Sequence, residues 1–156
     1  MKTLIACYSV TGNTLKVAQD LKARLNADFT NIETKKETNY LMKCINALLN
    51  RKTPIKPCVA DMKDYDLLIV CSPVWASSTP PAVNEYVAEL KNCDGKKYAI
   101  LITYGGVGGN RVESHIKKAM LPKNIAFMGS IFVRVKAVEQ GAYEKDAGQF
   151  AAAISE

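Results

Sequence analysis

The chain has 156 residues, 48% hydrophobic and 23% charged, with a formal net charge of +6 from 21 Lys and Arg against 15 Asp and Glu. That length suits one domain, residues 1–156, with a sizeable core, and the composition excludes disorder of the low-hydrophobicity kind. The opening apolar run stops at Ser9 and no later run is longer, too short for a signal-peptide core or a bilayer span, so a cytoplasmic protein with no membrane partner is expected.

Short apolar runs alternate with segments of helical period, and this rhythm predicts an α/β fold: a parallel sheet with helices on both faces. Residues 3–8 form the first strand candidate. A helix follows from about Asn13, where Leu15, Ala18, Leu21 and Leu25 make one apolar stripe. Residues 28–33 alternate in the manner of a short edge strand, and 40–50 predict a second helix, followed by a connection through Pro54 and Pro57. The continuous apolar run 67–71 fits a central strand buried on both faces. Pro80 and Pro81 suit the first turn of a helix reaching about Leu90. A buried strand over 98–103, a helix over 110–120, an edge strand within 125–135 and a last helix over 143–154 complete the chain. Five strands with edge character in the second and fifth fit the doubly wound order 2-1-3-4-5 in three layers.

Ligands of such sheets bind at the carboxyl ends of the strands, near the reversal of strand order. The loops there are the most unusual stretches of this sequence. After the first strand comes Ser9-Val10-Thr11-Gly12-Asn13-Thr14. Its hydroxyls can donate to phosphate oxygens, Gly12 admits close backbone approach, and amides at the helix start point toward an anion. No Gly-Lys-Ser/Thr ending and no Gly-x-Gly-x-x-Gly pattern is present, which excludes triphosphate and dinucleotide loops. An ordinary polar helix cap would use the same residue types.

After the third strand, Pro73-Val74-Trp75-Ala76-Ser77 carries the single tryptophan of the chain among small residues. An indole there offers a flat surface for a ring system; a core position is the bland alternative. After the fourth strand, Thr103-Tyr104-Gly105-Gly106-Val107-Gly108-Gly109 holds four glycines in five residues. That density suggests backbone lying close to a ligand, or else a flexible turn. His115 is expected on the surface of the following helix and receives no role.

Five cysteines without a Cys-x-x-Cys pair, and one histidine, give no metal-ligand spacing. An odd cysteine count fits a reducing compartment. Cations cluster between Lys35 and Lys63 without interleaved aromatics, so nucleic acid is not an expected partner.

Thr11-Gly12-Asn13-Thr14, with Ser9 before it, resembles the phosphate fingerprint of flavodoxins, and Pro73-Val74-Trp75 followed by Thr79-Pro80-Pro81 is similar to the flavin-contacting loop of small flavodoxin-like proteins. The resemblance spans nearly the whole chain and implies a flavodoxin-like fold that binds flavin mononucleotide (FMN). It assigns the 5′-phosphate to Ser9, Val10, Thr11, Gly12, Asn13 and Thr14, and the flavin ring to Pro73, Val74, Trp75, Ala76 and Ser77. Thr103, Tyr104, Gly105, Gly106 and Gly109 would meet the pyrimidine edge. It assigns no catalytic or metal-binding residue. An electron carrier with a redox partner protein is the leading function. An FMN-dependent reductase passing electrons from NAD(P)H to a quinone, flavin or similar small acceptor is the alternative, and a flavin-free module the third class. Monomer and homodimer both stay open.

Two departures stand out. Flavodoxins are typically acidic, and this chain is +6. Flavodoxins also often place a flexible glycine beside the flavin; residues 74–79 contain none, so a peptide flip forcing positive φ on Ala76 or Ser77 would be strained.

Overall fold

The structure, a computed structural model, describes residues 1–35, 39–49 and 51–155. The first strand, β1 (Thr3–Cys7), is apolar and wholly buried. Helix α1 (Asn13–Leu25) buries Thr14, Val17, Ala18 and Leu21, with Leu15 and Leu25 only half-buried at the stripe's margin. It ends at Asn26 in the left-handed conformation, which asparagine tolerates better than most residues. Then come β2 (Asp28–Asn31), α2 (Tyr40–Leu48), β3 (Leu67–Pro73), α3 (Pro81–Glu89), β4 (Lys97–Tyr104), α4 (Gly109–Met120), β5 (Ala126–Arg134), α5 (Val135–Gln140) and α6 (Glu144–Ser155). Residue 50, expected to end the second helix, lies outside the described residues.

The five strands pair in parallel in the order β2-β1-β3-β4-β5, as the edge patterns predict. β1 and β3 run in register from Thr3 opposite Leu67 to Cys7 opposite Cys71. Parallel strands require crossovers, and these cover both faces. One face packs Leu4, Leu68, Val70, Ile100 and Ile102 under α3 and α4. The other packs Ile5, Ile69, Ala99 and Leu101 under α1 and α6.

Two boundaries and one added helix differ from the sequence expectation. Pro73 and Tyr104 end strands instead of lying in loops, because Pro73 stays paired with Thr103 and Tyr104 with Arg134. Proline at the last strand position removes no interior ladder bond. The fifth strand lies within 125–135 as expected, and Val135 opens a short helix. That helix closes at Gly141, whose φ of 72° lets its N–H reach the Val138 carbonyl at 3.3 Å. The single last helix expected from Tyr143 is therefore preceded by a separate turn of helix.

The connection from 53 to 62 is structural, although its prolines mark it only as a link. The Lys35 N–H donates to the Pro54 carbonyl and the Lys56 N–H to the Glu33 carbonyl, bridging Thr34 to Ile55. Val59 donates to the Thr30 hydroxyl and accepts from the Tyr86 phenol, and Met62 donates to the Lys91 carbonyl. Ile55 and Met62 are thereby buried in the α3 and α4 core layer. Met62→Ala should lower the unfolding free energy by about 2–4 kcal/mol, the cost of a vacated core position. Urea unfolding checks this, and a loss below about 0.5 kcal/mol would mean the connection is a surface strap.

Candidate functional site

Strand order reverses between β1 and β3, so their following loops diverge to opposite faces and leave a crevice at the carboxyl edge. The 9–14 loop lies on one side of it. Gly12 caps α1 with φ 90°, a conformation that favours glycine, and an added Cβ would meet no atom within 4 Å. Ser9 Oγ accepts from the Gly12 N–H at 3.2 Å and the Leu15 N–H at 3.3 Å, which folds the loop back over the helix start. The first intrahelical bond runs from Lys16 N–H to the Gly12 carbonyl. Ahead of it, the Asn13 and Thr14 N–H groups have no intrahelical acceptor. Asn13 Nδ2 donates to Thr11 Oγ1 at 3.3 Å, while Val10 and Thr11 are exposed.

The loop's own residues, 9–14, include no cation, while Lys35 and Lys56 line the groove beside Ser9 and Val10. Lys16, the nearest in sequence, donates its ammonium to the Val138 carbonyl at 3.0 Å. Neutral hydroxyls and helix-start amides are a donor set suited to a monophosphate. Below them Thr14 and Thr103, both buried, share a hydrogen bond of 2.6 Å between hydroxyls. Sequence reasoning aimed the Thr14 hydroxyl at a phosphate and the main chain from Thr103 onward at the flavin. The structure ties the two hydroxyls to each other, joining the floor of the first loop to the end of β4.

Trp75 stands across the crevice, half-buried, with its ring edge-on to Tyr8 at 5.4 Å and 68° between planes. Tyr8 is the residue sequence reasoning missed. It follows β1 directly, and burial pushes its phenol up to about 12, so it is neutral at ordinary pH. The available signal was an aromatic residue at a strand's carboxyl end beside the phosphate motif. Tyr8, Ser9 and Val10 also line a groove of about 440 Å³ shared with Thr34 and Lys35.

Trp75 opens a tight turn. Its N–H bonds the Ser78 carbonyl at 3.0 Å, and the Ser78 N–H returns to the Trp75 carbonyl at 2.7 Å. The two residues between them, Ala76 and Ser77, have φ of 44° and 57°. Such a turn is normally built from Asn-Gly. The strain anticipated for a flip at Ala76 or Ser77 is thus already present in the resting loop. Next to it the buried Thr79 hydroxyl has no hydrogen-bond partner among the described residues. Left-handed non-glycines and an unmet hydroxyl each cost about 1–3 kcal/mol, and such costs gather at functional sites.

Two contacts hold the turn. Gly108, φ 104°, lies so near Ser77 that an added Cβ would stand 2.6 Å from the Ser77 Cα. Sequence reasoning read Gly105, Gly106 and Gly109 as ligand contacts and left Gly108 aside. Gly105 and Gly106 are exposed with open space around them, whereas Gly109 is buried against the Phe132 ring. Gly108 and Gly109 are therefore packing glycines, and Gly105 and Gly106 remain open to a ligand. The second contact is His115, half-buried, with Nδ1 3.4 Å from Ser78 Oγ. Burial first, then the charges of Arg111 and Lys118, lower its pKa below the usual histidine value. It lies against the turn instead of facing outward, as the sequence expectation had it. Tyr104 is half-buried, with Arg134 over its ring at 5.8 Å.

A larger groove, about 720 Å³, lies at the opposite end of the sheet between α4 and β5, lined by Lys96, Lys117 and Phe127 among others. It is at the amino ends of the strands, away from the order reversal, and the chemistry is better served by the carboxyl edge. Among the described residues no group of three His, Cys, Asp or Glu could hold a metal ion, and no helix is long and apolar enough to cross a membrane.

The profile of the flavodoxin family matches residues 2–140. Among solved structures, the chain is similar to a flavoprotein in complex with FMN from Lactobacillus acidophilus NCFM, at 22% identity, 90% coverage of this chain, 98% of that one, and a TM-score of 0.71. It is similar to oxidised flavodoxin 2 from Bacillus cereus at 19% identity, covering 99% of this chain and 98% of that one, TM-score 0.67. It also resembles an azoreductase from Bacillus anthracis str. Sterne at 13% identity, with 97% and 98% coverage and a TM-score of 0.61. At these identities the structural likenesses establish the fold. No curated protein matches the chain.

The strained turn gives two stability predictions. Ala76→Gly should raise the unfolding free energy by about 0.5–1 kcal/mol, since relief of the left-handed conformation outweighs the added freedom of the unfolded chain. Gly108→Ala should lower it by about 2 kcal/mol or more, because φ and the Ser77 contact both reject a Cβ. Urea titrations decide both, and equal stability of all three proteins would refute the turn as drawn. His115 gives a pH dependence. Its folded pKa is depressed, so the unfolded chain protonates first and stability is lost as pH falls below about 6.5. His115→Gln should flatten that part of the stability profile; an unchanged slope would place the cause elsewhere.

Proposed function

The chain belongs to the flavodoxin family, and from that premise we propose that it binds one FMN at the carboxyl edge of the sheet and acts as an electron carrier. The observation carrying this reading is the juxtaposition, at one point of strand-order reversal, of a loop of amides and hydroxyls with a half-buried aromatic turn. When bound there, FMN supplies reversible electron transfer.

The residues would divide the work. Gly12 and the first-turn amides of Asn13 and Thr14 would hold the phosphate, with Ser9 fixing the loop and the Thr11 hydroxyl free to add a donor. Trp75, braced edge-on by Tyr8, would present its indole to one side of the flavin. Pro73 and Val74 would carry the turn, and Ala76 and Ser77 would set its backbone against the ring. Gly105 and Gly106 would bring main-chain amides to the pyrimidine edge, with Tyr104 packed beneath. Carrier work requires one flavin edge to be reachable by another protein. The exposure of Val10, Ala76, Gly105, Gly106 and Val107 around the crevice supports that. Lys35, Arg111 and Arg134 lie exposed at the same end, so a negatively charged partner is favoured and its approach should slow as salt rises.

FMN titration of the apoprotein, followed by flavin fluorescence, tests the site. One equivalent should bind with quenched emission. Trp75→Ala should weaken binding by about 1–2 kcal/mol, five- to thirtyfold in Kd, and restore emission. Unchanged affinity and emission would remove Trp75 from the site. Anaerobic addition of NADPH, and separately NADH, tests the carrier reading. Flavin absorbance should persist until dithionite is added; rapid bleaching by a nicotinamide would make the protein a reductase.

A further inference from the structure

Helices on a doubly wound sheet turn their apolar sides inward, and α1, α3, α4 and α6 do so. Five large apolar residues of α2 and the turn after it do not. Leu41, Met42, Ile45, Leu48 and Leu49 are 68%, 43%, 39%, 57% and 54% exposed. At 3.6 residues per turn they fall within an arc of roughly 120°, one continuous stripe. Single exposed apolar residues need no explanation, but a contiguous patch does. The stripe cannot be absorbed by the core beneath, because Ile55 and Met62 already fill that face beside α3.

We infer that this stripe is where two copies of the chain pair, α2 against α2 about a two-fold axis. An apolar stripe is self-complementary, which is what a two-fold interface requires. Its size also fits. The five side chains present on the order of 400 Å² of apolar surface. A standard interface covers about 800 Å² on each partner, about two-thirds of it apolar between identical chains. The stripe is thus most of the apolar centre of such an interface, with neighbouring polar residues as its rim. A bilayer surface suits it less, because helices lying among lipid headgroups carry several Lys or Arg on the polar side. The sequence of α2, YLMKCINAL, has one.

Charge separates the possible occupants. No acidic residue occurs between positions 38 and 60, and Arg51 and Lys52, both exposed, follow the helix. Two copies meeting there bring cations near cations, a repulsion that salt screens. Self-pairing therefore tightens as salt rises, whereas an anionic bilayer or an acidic protein binds less well. Asn46 lines a small pocket with Tyr8 and Trp75, so the second copy would stand at the margin of the first copy's candidate site.

Sedimentation equilibrium of the full chain, with and without FMN, from about 1 to 100 μM and at about 50 and 500 mM salt, tests the inference. A monomer–dimer equilibrium is expected, with Kd at least about threefold lower at the higher salt. Leu41→Gln with Leu48→Gln should weaken pairing at least about tenfold. Both side chains are exposed, so the circular dichroism spectrum and FMN affinity should stay as in the wild type. Arg51→Gln with Lys52→Gln should tighten pairing and abolish its salt dependence, an arm that survives even if the leucine variant misfolds. A wild type that stays monomeric at about 100 μM in both salts overturns the inference, as does a leucine variant that pairs unchanged. Monomeric wild type that sediments with phosphatidylglycerol vesicles, but not phosphatidylcholine ones, would give the stripe to a bilayer instead. FMN binding is read separately in each arm, so failure of the pairing and failure of the flavin site are distinct results.

Discussion

A parallel sheet buried on both faces leaves the chain one route between neighbouring strands, a crossover along a face, and every crossover here starts from the same edge. Because β1 leads outward to β2 while β3 leads away to β4 and β5, the loops after β1 and β3 leave toward opposite faces. The crevice between them follows from connectivity before any side chain is considered. Cys7 opposite Cys71 and Pro73 opposite Thr103 set the ends of the strands level. The 2.6 Å hydroxyl pair of Thr14 and Thr103 then ties the first helix to the far side of that edge. The site rests on strands whose own burial is complete, so its geometry draws on the most stable part of the molecule.

Within that frame the binding loops carry local costs. Ala76 and Ser77 hold left-handed conformations that relax in an isolated peptide, and Thr79 gives up a hydrogen bond. They persist because Gly108 and His115 close on the turn from α4. A turn fixed in this way keeps Trp75 against Tyr8 before any ligand arrives. Pre-organisation of this kind lowers the ordering cost of binding. The 9–14 loop facing it presents helix-start amides and a glycine cap, a neutral donor set of the kind that suits an anion. Cations lie on the rim, at Lys35, Arg111 and Arg134, and along the 35–63 segment, outside the 9–14 loop itself.

Much of this was legible in the sequence because it follows from periodicity and from residue types with few alternatives. Buried runs such as 67–71 read as central strands, and the polar loop 9–14 announced the start of α1 at Asn13. Tyr8 and Gly108 were not legible for a common reason. Each acts through a residue far away in sequence, Trp75 in one case and Ser77 in the other. The bond between the Thr103 and Thr14 hydroxyls was not legible either, since the two residues lie 89 apart in sequence. Local pattern identifies the backbone's path and the chemistry available along it. Contacts across the crevice depend on register, which no single segment encodes.

The connection after β2 shows the same limit with a functional consequence. Its sequence offers a helix with apolar residues and then a proline-marked link, and the ordinary assignment gives the core to the helix. The structure divides the roles the other way. Ile55 and Met62 cover the sheet in extended conformation, anchored by Thr30, Tyr86 and Lys91. The link fills part of that face, and Leu41, Met42, Ile45, Leu48 and Leu49 of α2 and the turn after it are exposed. An extended segment needs about 3.3 Å per residue against 1.5 Å in a helix, so few residues suffice to cross the face. Those five exposed side chains are then surplus to the fold of one chain. Surplus apolar surface beside a candidate flavin site is what association would use, which makes the link, and not the helix, the feature that sets how this chain can meet another.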